Sequence, residues 1–467
     1  MNHYRFNNTD TFYTLKKDYR LQLQKTNSRI QISKNVQVSD RKNEYRIDRT
    51  KIRSRMITAN DVHNQLGNIK NIGFEVTDSC NLKCIYCTYR DLYENYDTRR
   101  NQYIDTPKAK MLVDFLFEKL NTPLNNSLRN EVTISFYGGE PLLNMDFITE
   151  MVSYTKNLEN DRIKCRYNMT TNGVLLRKYL SFFIQNNFEI MVSLDGSKEN
   201  DAHRLLQNGN PSFDIIYENM LYIRDHYPVF FYMNIRFNSV IHNLNNRKEV
   251  FSFFQREFNK TPSFSMVNDV GVKSKMIEKH KIISTLKHET PDEKTENEMK
   301  RIMDLNYTDA KNLEKFIFLI SGNIYNTYNH LLSGTNDLIC LSSGTCLPFS
   351  RRIFMTVNNK LLPCEKTGHQ FSFGMVSENG VDINCEEVAH KFNCYCESLR
   401  KLCSRCYHVG LCSVCMYAIK NFDKEAKLEC KSFVNKAEFD RLLHKDIEQL
   451  SQTPELYQRI MEEVVKF

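Results

Sequence analysis

Residues 72–90 read "IGFEVTDSCNLKCIYCTYR": an apolar, strand-like run followed at once by three cysteines, Cys80, Cys84 and Cys87, in a single short loop. A loop at the end of a strand is where α/β folds hold their ligands. Working outward, strand-like runs recur as "EVTISFYG" (131–138), "CRYNMTT" (165–171), "FEIMVSLDG" (188–196), "FFYMNIRF" (230–237) and "SFSMV" (263–267), each separated by a segment of helical character. Strands alternating with helices predict a parallel sheet with crossover helices. Six such units over residues 69–270 make a curved sheet or an open barrel, and the fold class expected is α/β.

The rest of the chain limits what that core serves. Its 467 residues exceed one ordinary domain, and 41% hydrophobic residues are ample for a packed interior. No apolar run approaches the roughly 20 residues of a membrane span, so no membrane partner is expected. The first residues, "MNHYRFNNTDTFYTLKK", lack the apolar core of a signal peptide, which predicts a cytoplasmic protein. Thiols stay reduced there, so 15 cysteines clustered at short spacings point to metal binding rather than disulfides. The net charge of +8 fits an acidic partner such as a peptide; without a dense basic block, nucleic acid is not expected.

Composition divides the chain further. Residues 1–68 are polar and basic, with alternating stretches such as "SRIQISKNVQVS" (28–39) that predict strands of an accessory element able to dock a peptide by strand addition. Residues 271–335 are charge-rich, as in "KHETPDEKTENEMKR" (287–301), and predict a helical linker. Residues 336–435 hold 11 of the 15 cysteines, and 436–467 predict a helical tail.

Three thiolates on a four-iron cube leave one iron free for an exogenous ligand, and an open metal site is a reactive one. The spacing C-x3-C-x2-C, with Tyr86 directly before the last cysteine, closely resembles that of the radical S-adenosylmethionine (radical SAM) superfamily. The resemblance implies that Cys80, Cys84 and Cys87 hold a 4Fe-4S cluster whose free iron chelates S-adenosylmethionine. One electron, from a reductant such as flavodoxin or ferredoxin, then cleaves it to methionine and a 5'-deoxyadenosyl radical. A zinc knuckle completed by a distant cysteine is the alternative.

Three more stretches carry the resemblance. "YGGEPLL" places Gly138 and Gly139 where a backbone approaches a ligand closely and Glu140 where an ammonium group binds. The resemblance makes that group the methionyl amine. In "TTNG" (170–173) and "SLDG" (193–196) it assigns Thr171, Asn172, Ser193 and Asp195 to the cofactor's polar groups, with Tyr86 beside them. In "DAHRLLQNGNPSFD" it makes Arg204 the partner of the methionyl carboxylate, a geometry that suits an arginine fork.

The order of the remaining cysteines resembles a SPASM domain, the extension that carries two auxiliary 4Fe-4S clusters in enzymes modifying peptides and proteins. The resemblance groups Cys340, Cys346, Cys364 and Cys415 around one cluster, and Cys403, Cys406, Cys412 and Cys430 around the other. The spacing itself also admits two structural zinc sites. Two departures stand out: only two residues separate Cys412 from Cys415 where three are usual, and Asn359 stands where glycine is frequent. Asn tolerates a left-handed turn. Cys165 reads as a buried small hydrophobe; Cys385, Cys394 and Cys396 read as packing or exchangeable ligands; His369, His390 and His408 lack metal-ligand spacing.

The expected protein is a partial (β/α)6 radical SAM barrel followed by a SPASM domain and C-terminal helices. The expected function is maturation of a ribosomally made precursor peptide by hydrogen abstraction. The alternative is anaerobic sulfatase maturation, the oxidation of a Cys or Ser to formylglycine, with Glu365 after the third SPASM cysteine as proton acceptor. A third reading, a non-catalytic iron-sulfur or zinc protein binding nucleic acid, leaves the Gly-Gly-Glu and Ser-Leu-Asp-Gly stretches without a purpose.

Overall fold

The computed structural model describes residues 52–127, 130–286, 341, 344–409, 412–422, 427–439 and 441–442, and the backbone of five strands within 4–34 and 339–340. Its centre is six parallel strands in chain order: β6 (Asn71–Glu75), β7 (Glu131–Tyr137), β8 (Lys164–Thr171), β9 (Glu189–Ser193), β10 (Ile235–Ile241) and β11 (Ser263–Met266). The expected α/β core is observed. Alternation along each strand separates its faces. Val132, Ile134 and Phe136, with Tyr167, Met169, Ile190, Val192, Ile235 and Phe237, are buried in the main core. The opposite face carries Thr133, Ser135, Tyr137, Asn168, Thr170, Ser193 and Asn238. Polar groups there pair across strands, as in Asn71 Nδ2 to Ser135 Oγ (2.6 Å) and Ser265 Oγ to Asn238 Oδ1 (2.9 Å).

The helices cover the apolar face for reasons visible in their sequences. Helix α2 (Thr106–Leu120) is capped by the Asp105 carboxylate, which accepts from Lys108 N, and buries Ala109, Leu112, Val113, Leu116, Phe117 and Leu120 at helical spacing. Helix α7 (Arg247–Phe258) starts at the Asn246 cap and stops at Asn259, whose φ of 50° is left-handed; its Phe258 stacks on Phe237 and its Phe254 packs against the same ring at a tilt.

One strand boundary differs from the sequence expectation. In "FFYMNIRF" the residues up to Asn234 belong to helix α6 (Pro228–Asn234), and the strand runs from Ile235 to Ile241. Pro228 supplies the fixed φ that opens a helix, and the aromatic run that reads as strand is buried instead from the helix side, through Phe230 and Phe231.

The cysteine-rich half shares the barrel's sheet. Strand β13 (Ile353–Met355) pairs in parallel with β6, and β14 (Lys360–Leu362), β15 (Gly374–Ser377) and β16 (Gly380–Asp382) follow as antiparallel hairpins, making one ten-stranded sheet. Asn359 turns the first hairpin at φ 62°, the left-handed position its type tolerates. The segment before the barrel is tied to the same half: β5 (Ile52–Arg53) pairs with β12 (Ile339–Cys340), and the Ile57 peptide exchanges hydrogen bonds with the Asn393 side chain (2.9 and 2.8 Å). Strands β1 (Tyr4–Phe6), β2 (Asp10–Lys16), β3 (Tyr19–Gln24) and β4 (Arg29–Lys34) form an antiparallel meander. The linker expected over 271–335 is described only to residue 286, with a 3-10 turn at Ser274–Met276 leading into an α-helix at Ile277–Ser284; its remainder, and the tail beyond residue 442, lie outside the described residues. No described helix is long and apolar enough to cross a membrane.

Candidate active site

The cysteine loop leaves the end of β6 and is clamped by the turn after β7. Gly139 N donates to Thr77 O and Glu140 N to Ser79 O, both at 2.8 Å. A Cβ on Gly138, whose φ is 136°, would strike the Thr77 carbonyl, and one on Gly139 would strike that of Ser79. The two glycines are therefore required by the chain's own backbone, whatever ligand the turn also meets. The buried Glu140 carboxylate accepts from Leu142 N (3.1 Å), Thr171 Oγ1 (2.7 Å) and Asn172 N (2.8 Å), so it fixes the second and third strand ends to each other. Burial pushes its pKa up against those bonds. Asn172 in turn donates to Asn81 Oδ1 (2.7 Å) and lies 3.9 Å from Cys80 Sγ.

Cys80, Cys84 and Cys87 line a polar cavity of about 530 Å³ with Asp78, Tyr89, Tyr96, Arg99, Gly139 and Gln207. Burial raises the Cys80 thiol to about 11 and Cys84 to about 12. Both are neutral thiols at neutral pH without a metal to stabilise the thiolate. Among the described residues no three His, Cys, Asp or Glu side chains converge as for a single ion. Thiolates on different corners of a cube stand further apart than those sharing one ion.

Beneath the loop lies a buried polar network. The Tyr86 hydroxyl bonds the Asp195 carboxylate and accepts from Arg204 Nη1 (3.1 Å), and the Tyr86 ring stacks on His242. Asp195 also accepts from Val240 N (2.8 Å) and faces His242 Nε2 at 3.5 Å. Of these residues His242 was not singled out in the sequence, since a lone histidine after a strand carries no spacing signal; Asp201, the counter-ion of Arg204, lay in a quoted stretch. Arg204 Nε is buried without a hydrogen-bond partner. A buried guanidinium with a free Nε–H, within electrostatic reach of Cys80 and Cys84, fits an anionic or thiolate-ligated group.

Four C-terminal thiols, Cys403, Cys406, Cys412 and Cys430, line one cavity of about 220 Å³ whose other walls include Leu399, Leu402, Val409, Met416 and Val434. Burial, then the neighbouring Cys412, Cys430 and Cys406, raises Cys403 to about 12. Of the second set, Cys415 is the member whose described neighbours include two of the others. Gly344 fits closely against the Ser413–Val414 backbone, Thr345 Oγ1 accepts from Met416 N (2.8 Å), and Cys415 lies within electrostatic reach of both Cys346 and Cys364. Of Cys340 only the backbone, on β12, is described. Glu365 pairs with Arg352, which stands over the Tyr137 ring at the end of β7. Cys165 donates to Thr155 O (3.6 Å), Cys396 is buried, Cys394 Sγ is 3.6 Å from His390 Nε2, and buried His369 pairs with Asp97.

The model of the Radical SAM superfamily matches residues 74–240, the span from β6 to β10 that frames this loop. The chain carries a radical SAM domain. Similar proteins include a cysteine-type anaerobic sulfatase-maturating enzyme of Clostridium novyi (strain NT), 32% identical over 31% of this chain and 37% of that one. The radical SAM cyclopropyl synthase TigE of Paramaledivibacter caminithermalis is 28% identical over 44% of this chain and 41% of that one. The chain spans less than half the length of these curated relatives. A solved structure described as native anSMEcpe with bound AdoMet and Cp18Cys peptide aligns over 83% of this chain and 99% of its own, at 16% identity and a TM-score of 0.55. The radical SAM fold is thus shared well beyond the matched span.

Proposed function

We propose that this protein is a radical SAM maturase of a ribosomally made precursor peptide. Cys80, Cys84 and Cys87 hold a 4Fe-4S cluster, and S-adenosylmethionine takes the polar space beside them. The observation that carries this is the convergence of three partly buried thiols on a polar cavity at the carboxyl ends of radical SAM strands. Cluster and S-adenosylmethionine together supply one-electron cleavage and hydrogen abstraction from an unactivated carbon. The chain's own residues shape the site. Glu140, Thr171 and Asn172 fix the strand ends around the loop, Tyr86 and Asp195 brace it from below, and the polar face of the sheet receives the substrate. Cys340, Cys346, Cys364 and Cys415, with Cys403, Cys406, Cys412 and Cys430, hold two auxiliary clusters in a SPASM module, and a cytoplasmic flavodoxin or ferredoxin delivers the electron. The sulfatase-maturating name of one relative, and the peptide bound in the solved structure, support a peptide or protein substrate. Anaerobically reconstituted protein with a strong reductant should release 5'-deoxyadenosine, and Cys84→Ala should abolish it; a variant that still makes the nucleoside defeats the reading.

The meander of residues 4–34 is the element we assign to docking the precursor, by pairing along an edge strand. Because Ile52–Ile57 is bound to the C-terminal half, the informative truncation removes residues 1–50 only. It should spare S-adenosylmethionine cleavage and sharply lower peptide modification; unchanged peptide turnover rules the docking role out. A second reading, sulfatase maturation, is favoured by one observation: Glu365 follows Cys364 and lies, paired with Arg352, next to Tyr137 at a barrel strand end. Conversion of a Cys- or Ser-containing sulfatase peptide to formylglycine, lost in Glu365→Gln, would select it.

A further inference from the structure

We propose that Arg204 and its counter-ion Asp201 set the charge balance at the cluster loop, and with it the potential at which a cluster held there takes up its electron. This rests on the radical SAM reading above. The loop and the segment after β9 form a short antiparallel ladder: Lys83 N donates to Leu205 O (2.7 Å), Ile85 N donates to His203 O (3.2 Å), and Leu82 bridges Leu206. Between those two bonds Cys84 and Arg204 are directly opposite, as a pair without mutual backbone bonds. That is the register in which facing side chains come closest.

Both side chains are locked in place, and burial pushes the Asp201 carboxyl up against the pull of Arg204. Arg204 is 6% exposed, bonded to Tyr86 Oη through Nη1, with Nε 3.7 Å from Asp201 Oδ1. Asp201 is fully buried; its Oδ1 accepts from Asp195 N (2.9 Å). One donor, Arg204 Nε, and one acceptor, Asp201 Oδ2, remain without hydrogen bonds. Reduction adds one electron to the loop's negative charge, with no bond made and no proton moved. In a medium of low polarity a fixed cation favours that step and a fixed anion opposes it. Arg204 therefore acts on the cluster through Cys84 and the local field, as a positioning residue.

The test is a potentiometric titration of the full-length reconstituted protein with titanium(III) citrate, without S-adenosylmethionine so that no methionyl carboxylate is present. The reading is the electron-spin signal that disappears when Cys80, Cys84 and Cys87 are all replaced. Arg204→Gln should move its midpoint to more negative potential, Asp201→Asn to less negative, and Arg204→Lys less than Gln. If Arg204→Gln fails to take up iron, Asp201→Asn decides alone: an unchanged or more negative midpoint overturns the inference. A wild-type protein with no such signal instead defeats the radical SAM reading itself.

Discussion

The cysteine loop of the barrel and the cysteine cavity of the C-terminal half solve opposite problems with the same side chain. Around Cys80, Cys84 and Cys87 the walls are polar and charged: Asp78, Arg99 and Gln207 line the cavity, and Arg204 lies behind it. Around Cys403, Cys406, Cys412 and Cys430 they are mostly leucine, valine, isoleucine and methionine. Three thiols in polar surroundings suit a group with an open, exchangeable position; four in apolar surroundings suit one that is closed and shielded from solvent. The difference teaches that thiol count and wall chemistry agree at each site, although either could have varied alone.

The sharpest way to break that comparison is to delete one set at a time. Three sets read as three cubes give about 12 irons per chain by the four-iron stoichiometry. Replacing Cys80, Cys84 and Cys87 together should leave about eight and remove all S-adenosylmethionine cleavage. Replacing Cys403, Cys406, Cys412 and Cys430 should also leave about eight while cleavage persists. Iron analysis on both variants checks this, and a colourless zinc-loaded protein sinks the assignment of both regions.

How legible these regions were in the sequence differs with the kind of cause. The barrel could be read because each strand repeats one alternation and each helix one spacing, as in Val132-Ile134-Phe136 and Leu112-Val113-Leu116. The cysteine loop could be read because ligand spacing is local. The contacts of Gly138, Gly139 and Glu140 could not: Thr77, Ser79 and Asn172 lie 32 to 62 positions away along the chain and enter only through strand register. His242 stayed hidden for the same reason. The continuation of the sheet from β6 into β13 was illegible too, since a parallel pairing between residues 72 and 353 leaves no mark on either short stretch.

A pair of glycines sharpens the comparison at smaller cost to the protein. Gly139 is pressed on Ser79 beside the barrel loop, and Gly344 on Ser413 and Val414 beside Cys415. An added methyl at either strikes backbone first, and at Gly139 also meets Arg99 Nη1, so each alanine should destabilise by roughly 3 kcal/mol. The consequences should separate: Gly139→Ala should lower S-adenosylmethionine cleavage, and Gly344→Ala should lower retention of auxiliary iron. Denaturant unfolding with iron analysis measures both, and identical losses at the two sites would show that the regions are not independent.

The smallest effect concerns the joint between the regions. Glu75, at the end of β6, is 1% exposed; its carboxylate accepts from Val357 N (3.1 Å) in the hairpin of the C-terminal half and lies 3.4 Å from Arg99 Nη2. Burial raises its pKa from 4.5 to about 7, against the opposing pull of Arg99, with Asp78 and Asp97 adding to the rise. A carboxyl whose folded pKa lies above its unfolded one binds its proton more tightly when folded. Its stabilising contribution is complete below pH 4.5 and is lost as pH rises through about 7. The wild type should therefore lose stability relative to Glu75→Gln between pH 5 and pH 8, by on the order of 2 to 3 kcal/mol. The glutamine keeps a carbonyl for Val357 N, so the hairpin stays joined to β6 and the comparison isolates the charge. Unfolding curves at several pH values read the slope directly. A difference that stays constant with pH would mean that Arg99 holds Glu75 ionised throughout, and that the two halves are joined by an ion pair rather than by a titrating acid.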